Sequence, residues 1–293
     1  MTAVAYLGPK GTFTNVAVDA LFEQGDTISY RTIPACLDAV DHGEVDVAVV
    51  PLENAIEGTV HLTIDYLIHQ VDVSIIAEAV MPIEQHLLVH KDFTGDITSI
   101  DQIYSHSHAI AQCHHFIHEQ IHEAEVEYTS STGEAAAKIA QAQGNHAAIG
   151  NVLAAREYGL HIIRYNIHDY DNNHTRFAVV QKQPKPIKLR DLMATHHKTT
   201  LMVTLPSDYS GALHQVLSAF AWRKMNLSKI ESRPMKTGLG NYYFIIDVEQ
   251  PYDDILFPAV QAELAALGCQ TKILGTYPCF PIVAPTSASS TKK

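Results

Sequence analysis

Short apolar runs alternate with helix-spaced patterns along the first 180 residues. The run at 4–7 (VAYL) predicts a strand, 14–22 a helix and 45–50 (VDVAVV) a second strand. Further strands are expected at 73–79, 85–89 and 147–149, and helices at 132–142 and 152–158. This β/α rhythm predicts an α/β domain whose sheet is mostly parallel and covered on both faces. Across 182–198 (KQPKPIKLRDLMATHHK) two prolines and a string of cations dissolve the pattern, which marks a linker and a domain boundary. Beyond it the order becomes strand 199–205, helix 211–225, strands 227–234 and 242–248, helix 254–267 and strand 271–275. That is βαββαβ, the ferredoxin-like order. Leu213, Val216, Leu217 and Phe220 form one helical stripe, and Leu256, Val260, Leu264 and Leu267 another, so both helices should cover one face of one sheet. The tail after Pro285 is small, polar and aperiodic, and is expected to be disordered.

Charge narrows the partners. The chain of 293 residues carries 20 Lys+Arg against 32 Asp+Glu, a formal net charge of -12, and should repel nucleic acid and anionic membranes. No apolar run approaches the roughly 18 residues of a membrane span. The four cysteines form no Cys-x-x-Cys pair, which fits a reducing, cytoplasmic compartment. The 18 histidines take up protons as pH falls through about 6.5, so colloidal behaviour near the pI should be poor.

Five segments could carry chemistry. His118-Glu119-Gln120-Ile121-His122 matches His-Glu-x-x-His. With His114 it forms a polar row opposite Phe116, Ile117 and Ile121, and no third ligand motif follows, so it reads as a solvated helix face and not a zinc site. Gly8-Pro9-Lys10-Gly11-Thr12-Phe13-Thr14 joins the first strand to the first helix, where helix-start N–H groups can hold a carboxylate; a tight turn needs the same glycines. The segment 51–60, with Glu53 and Asn54, lies at the carboxyl end of the most apolar strand, where open α/β sheets place ligands. Ser105, His106 and Gln112 have a similar strand-loop-helix setting. Thr175-Arg176-Phe177 puts a hydroxyl beside a cation at a strand start, suited to an oxyanion or a leaving hydroxyl, or to a surface turn.

Together these segments resemble the prephenate dehydratase family. The resemblance rests on Gly8-Pro9-Lys10-Gly11-Thr12-Phe13, Val50-Pro51-Leu52-Glu53-Asn54 with Gly58-Thr59-Val60, Ser105-His106 with Ala111-Gln112-Cys113, Ser131-Thr132 with Ala135-Ala136, and Thr175-Arg176-Phe177. In the second domain Gly211-Ala212-Leu213 and Glu231-Ser232-Arg233-Pro234 resemble the phenylalanine-sensing ACT domain of that family. With no chorismate mutase segment ahead, the chain looks like the monofunctional form. Ala55 and Ser107 depart from the family's usual Ser and Pro, so the resemblance supplies no substrate contact there.

The resemblance implies a carbon–oxygen lyase that converts prephenate to phenylpyruvate, CO2 and water in phenylalanine biosynthesis, without cofactor or metal. It implies a two-lobed, periplasmic-binding-protein-like catalytic domain at 1–182, with lobe crossings near 76–82 and 166–175. A linker at 183–198, an ACT domain at 199–280 and the tail at 281–293 would follow. Thr175 would donate to the departing C4 oxygen, through a relay drawn from Glu53, Asn54, Ser105 and Gln112. Arg176 would hold one carboxylate and the Thr12 to Thr14 helix start the other, with Phe177, His106, Ser131 and Thr132 also lining the substrate. Phenylalanine would bind between paired ACT domains, through Gly211, Ala212, Leu213, Asn226, Leu227, Glu231, Ser232, Arg233 and Pro234, and inhibit a dimer or tetramer. The rival readings are an arogenate dehydratase and a non-catalytic ligand sensor.

Overall fold

The computed structural model describes residues 2–283 except 24, 184, 208 and 235–241; the tail from 284 lies outside the described residues. The chain runs β1 (Thr2–Leu7), α1 (Phe13–Leu21), β2 (Gly25–Tyr30), α2 (Ile33–Asp41), β3 (Val47–Asn54), β4 (Gly58–Thr59), α3 (His61–His69) and β5 (Ser74–Pro82). A second lobe follows: β6 (His86–Val89), β7 (Gln102–Ser105), α4 (Ser107–Gln112), α5 (His114–Gln120), β8 (Glu125–Tyr128), α6 (Thr132–Ile139), β9 (His146–Gly150), α7 (Val152–Tyr158) and β10 (His161–Arg164). The chain returns to the first lobe in β11 (His174–Gln181). It ends with β12 (His196–Thr204), α8 (Ala212–Ala221), β13 (Leu227–Pro234), β14 (Tyr242–Val248), α9 (Leu256–Ala266) and β15 (Gln270–Pro281).

One sheet of the order β13-β14-β12-β15-β5-β11-β3-β1-β2 runs through both the first lobe and the βαββαβ unit, and a second of order β10-β6-β9-β7-β8 makes the other lobe. The sheets are mixed, where the apolar runs suggested mostly parallel pairing. β2, β1 and β3 are parallel, but β11 comes back from the second lobe and enters antiparallel between β3 and β5. In the second sheet β6 likewise runs against β9 and β10.

The strands of the first lobe are apolar on both faces because both are covered. Leu37, Val40, Leu67 and Ile68 of α2 and α3 pack on Ala48, Val50 and Val180, and Val18 and Leu21 of α1 pack on Val4, Val47 and Val49. In the βαββαβ unit, α8 and α9 bury Val216, Ala219, Phe220, Phe257, Val260 and Leu264 on one face of the sheet. Leu213 and Leu267, expected in these stripes, stand at the helix ends and are 36% and 37% exposed. The opposite face, with Tyr243, Ile245 and Tyr277, is continuous with the core beneath α3.

β15 extends to Pro281, well beyond the 271–275 expected, because it is shared: it pairs antiparallel with β12 and parallel with β5. Pro278 falls where the β5 pairing skips from Gly275 to Cys279, so its missing N–H leaves that ladder intact. At Gly275 a Cβ would overlap the carbonyl oxygen of Ile75, so only glycine lets the two strands approach. The linker is also seated more firmly than its composition suggests. Ile187, Leu189 and Leu192 pack on the α1 side of the core, and the Arg190 N–H donates to Leu21 O at 2.8 Å.

Candidate active site

A cleft of about 460 Å³ opens between the lobes, lined by Thr12, Phe13, Thr14, Pro51, Asn54, Glu57 to Val60, Thr175 and Phe177 from one side and by Ile83, Gln85, His106, His108, Ala109, Gln112 and Ser130 to Thr132 from the other. The expected residues Thr12, Thr14, Asn54, His106, Gln112, Ser131, Thr132, Thr175 and Phe177 are therefore brought together. Ile83, Gln85, His108, Ala109 and Ser130 also line the cleft and were not singled out from the sequence, whereas Glu57 belongs to the segment 51–60.

Thr175 sits on β11 directly opposite Asn54 of β3. Asn54 Oδ1 accepts the Ile56 and Glu57 N–H groups at 3.0 and 3.1 Å, which fixes the orientation of the amide. Its Nδ2 then donates to Asn173 Oδ1 at 2.8 Å and to Thr175 Oγ1 at 2.9 Å. Because Thr175 Oγ1 accepts, its own proton is left to donate into the cleft.

Two helix starts face the same space. The Thr12 hydroxyl donates to Leu7 O and Pro9 O at 3.1 and 3.0 Å and caps α1 by accepting from Asn15 N, so it holds the loop and leaves the Phe13 and Thr14 N–H groups to a ligand. Ser131 caps α6 by accepting from Glu134 N at 3.0 Å. At Gly133 a Cβ would come within 2.5 Å of Lys10 O, which shows how closely the two helix starts approach. His106 caps α4, and burial and then the neighbouring His108 lower its pKa, so its imidazole is neutral at pH 7. Across the cleft His108 Nε2 lies 3.6 Å from Glu57 Oε2. No lysine or arginine lines the cleft among the described residues.

Three expected members stand elsewhere. Ser105 is fully buried and donates to Ile149 O at 2.7 Å, stitching β7 to β9. Arg176, expected to hold a carboxylate of the substrate, points to the other face of β11 by strand alternation. There it donates to Glu53 at 2.6 Å, to Glu78 at 2.5 and 3.1 Å and to Asp247 at 2.7 Å. Burial opposes its charge, but Asp247 and Glu78 outweigh that and raise its pKa. Glu53, expected in the relay, is turned the same way by a bulge. The β11–β3 register slips between Arg176 and Phe177, so Leu52 is passed over and Glu53 and Asn54 exchange faces. Burial would raise the Glu53 carboxyl, but Lys229 and Arg176 hold it below the usual range.

The polar row at 114–122 does not form one helix face. α5 ends at Gln120 and His122 lies beyond it, and no group of three or more His, Cys, Asp or Glu among the described residues could hold a metal. In the βαββαβ unit Gly211 opens α8 at φ +90°, Ala212 is buried and Leu213 is exposed. On β13 Ser232 and Pro234 are exposed, while Glu231 accepts from Thr59 at 2.5 Å and Arg233 pairs with Asp65 at 3.0 Å, both facing the first lobe. Asn226 donates to Glu249, and Leu227 is half-buried.

Fold and cleft together define a two-lobed α/β enzyme with a βαββαβ unit built onto its first sheet. Comparison with known proteins gives the family. Residues 4–185 match the family model for prephenate dehydratase. The prephenate dehydratase of Bacillus subtilis is 51% identical over 283 residues, covering 95% of this chain and 99% of that one. The solved prephenate dehydratase of Arthrobacter aurescens, in complex with L-Phe, superposes with a TM-score of 0.81 at 33% identity, covering 94% of this chain and 89% of that one. That of Staphylococcus aureus gives 0.79 at 31% identity, with 94% and 99% covered. The chain belongs to the prephenate dehydratase family.

Proposed function

We infer that the interlobe cleft carries out the family's reaction, in which prephenate loses CO2 and water to become phenylpyruvate. Breaking the bond to the ring carboxylate sends its electron pair through the ring, and the C4–oxygen bond breaks as the ring becomes aromatic. The ring itself is the electron sink, so the protein's task is to help the hydroxyl leave. The observation that carries this reading is the Asn54–Thr175 bond, which leaves the Thr175 proton to be donated to the departing oxygen. Gln112 and Gln85, 3.5 Å apart at the far wall, are the other polar side chains that could pass a proton or water along.

The substrate is a dianion, and the first turns of α1 and α6 would supply the partial positive charge to bind it. The absence of lysine and arginine from the lining, among the described residues, suits the chemistry. A full positive charge on the departing carboxylate would stabilise the ground state over a transition state in which that charge is dispersing. Thr175→Val should lower kcat by about 10²- to 10⁴-fold, while Thr175→Ser keeps most of it. Full activity in the valine variant would remove Thr175 from the mechanism.

For the βαββαβ unit we propose the ACT role, with phenylalanine as a feedback inhibitor that binds at Gly211 to Leu213 and along β13. The L-Phe complex of the Arthrobacter relative and the ferredoxin-like order support it. The exposed Ile230 of β13 and the 81%-exposed Trp222 support assembly of a homo-oligomer through this unit. We also place the enzyme in the cytoplasm, as four buried, unpaired cysteines suggest.

A further inference from the structure

We propose that Arg176, with Glu78 and Asp247, is a positioning clamp that sets the Thr175 hydroxyl from the back of the sheet and extends the catalytic machinery into the βαββαβ unit. The proposal rests on the reading of Thr175 given above.

The geometry is specific. Arg176 directs N–H groups at carboxylates on three strands: Glu53 on β3, Glu78 on β5 and Asp247 on β14. Glu78 is fully buried and takes a second cation, Lys198 of β12, at 2.9 Å on its other oxygen. Glu53 takes Lys229 of β13 at 3.0 Å. Asp247 is steadied by the Thr200 hydroxyl at 2.7 Å, and Thr200 in turn bonds to Tyr277 at 2.6 Å. Glu231 of β13 also takes Lys229, at 3.4 Å, so four carboxylates share three cations, and four of the seven, Lys198, Lys229, Glu231 and Asp247, belong to the βαββαβ unit.

Each half of the catalytic pair has a neighbour in this cluster. Thr175 precedes Arg176 and Asn54 follows Glu53, with the bulge lying between the paired stretches. A shift of Arg176 toward or away from Asp247 would pull on β11 beside the bulge in β3 and so move the Thr175 oxygen relative to Asn54. Charge networks of this kind add little net stability compared with apolar packing, but they are strongly directional, and removing one member leaves a buried charge unpaired. A planar guanidinium spread across three carboxylates is a device for fixing geometry.

The test uses the full-length chain and begins with the wild-type rate on prephenate, which separates a failure of the functional reading from a failure of the clamp. Arg176→Lys and Asp247→Asn should each lower kcat by about 10- to 100-fold, the scale of a misplaced catalytic group, with KM within about threefold of wild type. Should Asp247→Asn fail to fold, Thr200→Val removes the hydroxyl that steadies Asp247 and bonds to Tyr277 while leaving every charge in place, and should lower kcat about threefold or more at unchanged KM. Rates are read well below each variant's melting temperature. A clamp that only glues the units together would lower the melting temperature and leave kcat per folded molecule unchanged, and that result overturns the proposal. So would a tenfold rise in KM for Arg176→Lys at unchanged kcat, because it would put the guanidinium on the substrate.

Discussion

At the scale of single residues, the chemistry depends on which way one amide points. Asn54 is pinned through Oδ1 by two backbone N–H groups, so its Nδ2 must donate to Thr175. Asn54→Asp would replace that donor with an acceptor and turn the Thr175 proton away from the cleft. We expect kcat to fall by at least about 10²-fold in steady-state assays on prephenate, with the fold preserved by circular dichroism. A variant that keeps wild-type kcat would show that the orientation of the Thr175 proton does not matter. The family resemblance offered Asn54 as one of four partners for Thr175, and the sequence alone did not single it out. The exclusion of Glu53 and Arg176 was not legible there either. The run 45–50 is apolar on both faces and carries no alternation to extend, and the bulge at Leu52 reverses the parity that simple counting would give. For Arg176 a signal was present, since on a strand that starts at His174 it must face away from Thr175. Glu78 was likewise visible as one acid in the apolar run at 75–81.

At the scale of elements, two close approaches place the parts. Gly275 lets β15 lie against β5, and Gly275→Ala should destabilise the chain by about 1–3 kcal/mol, read as a lower thermal midpoint. An unchanged midpoint would mean that the strands part without cost. β6 holds a second stability element. His86 is buried, its Nδ1 accepts from Asn166 N at 3.0 Å, and burial followed by the nearby His168 lowers its pKa to about 4. The native state refuses a proton that the unfolded chain accepts near pH 6.5. Its contribution is therefore present above that pH and is lost as pH falls toward 4, by about 3 kcal/mol in all. Urea unfolding across this range should show a steeper loss for wild type than for His86→Asn, which can still accept from Asn166. Parallel curves would exclude His86 as the source. The order of these elements followed from apolar periodicity, whereas the length of β15 did not, because prolines at 278 and 281 read as a strand's end when they sit at a skipped pairing and a terminus.

At the scale of the whole molecule, one sheet carries both the Thr175 strand and the βαββαβ unit, so the unit is placed to influence the cleft through backbone and the Arg176 cluster alike. No local pattern in the sequence announces a sheet shared between two domains, because that pairing joins residues some 200 positions apart. If phenylalanine inhibits by favouring a less active arrangement, coupling of about 1–3 kcal/mol is the usual scale. Asp247→Asn should then bind phenylalanine as wild type does in calorimetry, yet show a smaller loss of activity on its addition. Undiminished inhibition would route the coupling elsewhere. The most direct test of the account is phenylpyruvate formation from prephenate by the purified full chain, followed by ultraviolet absorbance in base, with EDTA present and phenylalanine titrated in. Turnover should survive EDTA and decline as phenylalanine is added; a folded chain that forms no phenylpyruvate from prephenate would exclude the interlobe cleft as a prephenate dehydratase site.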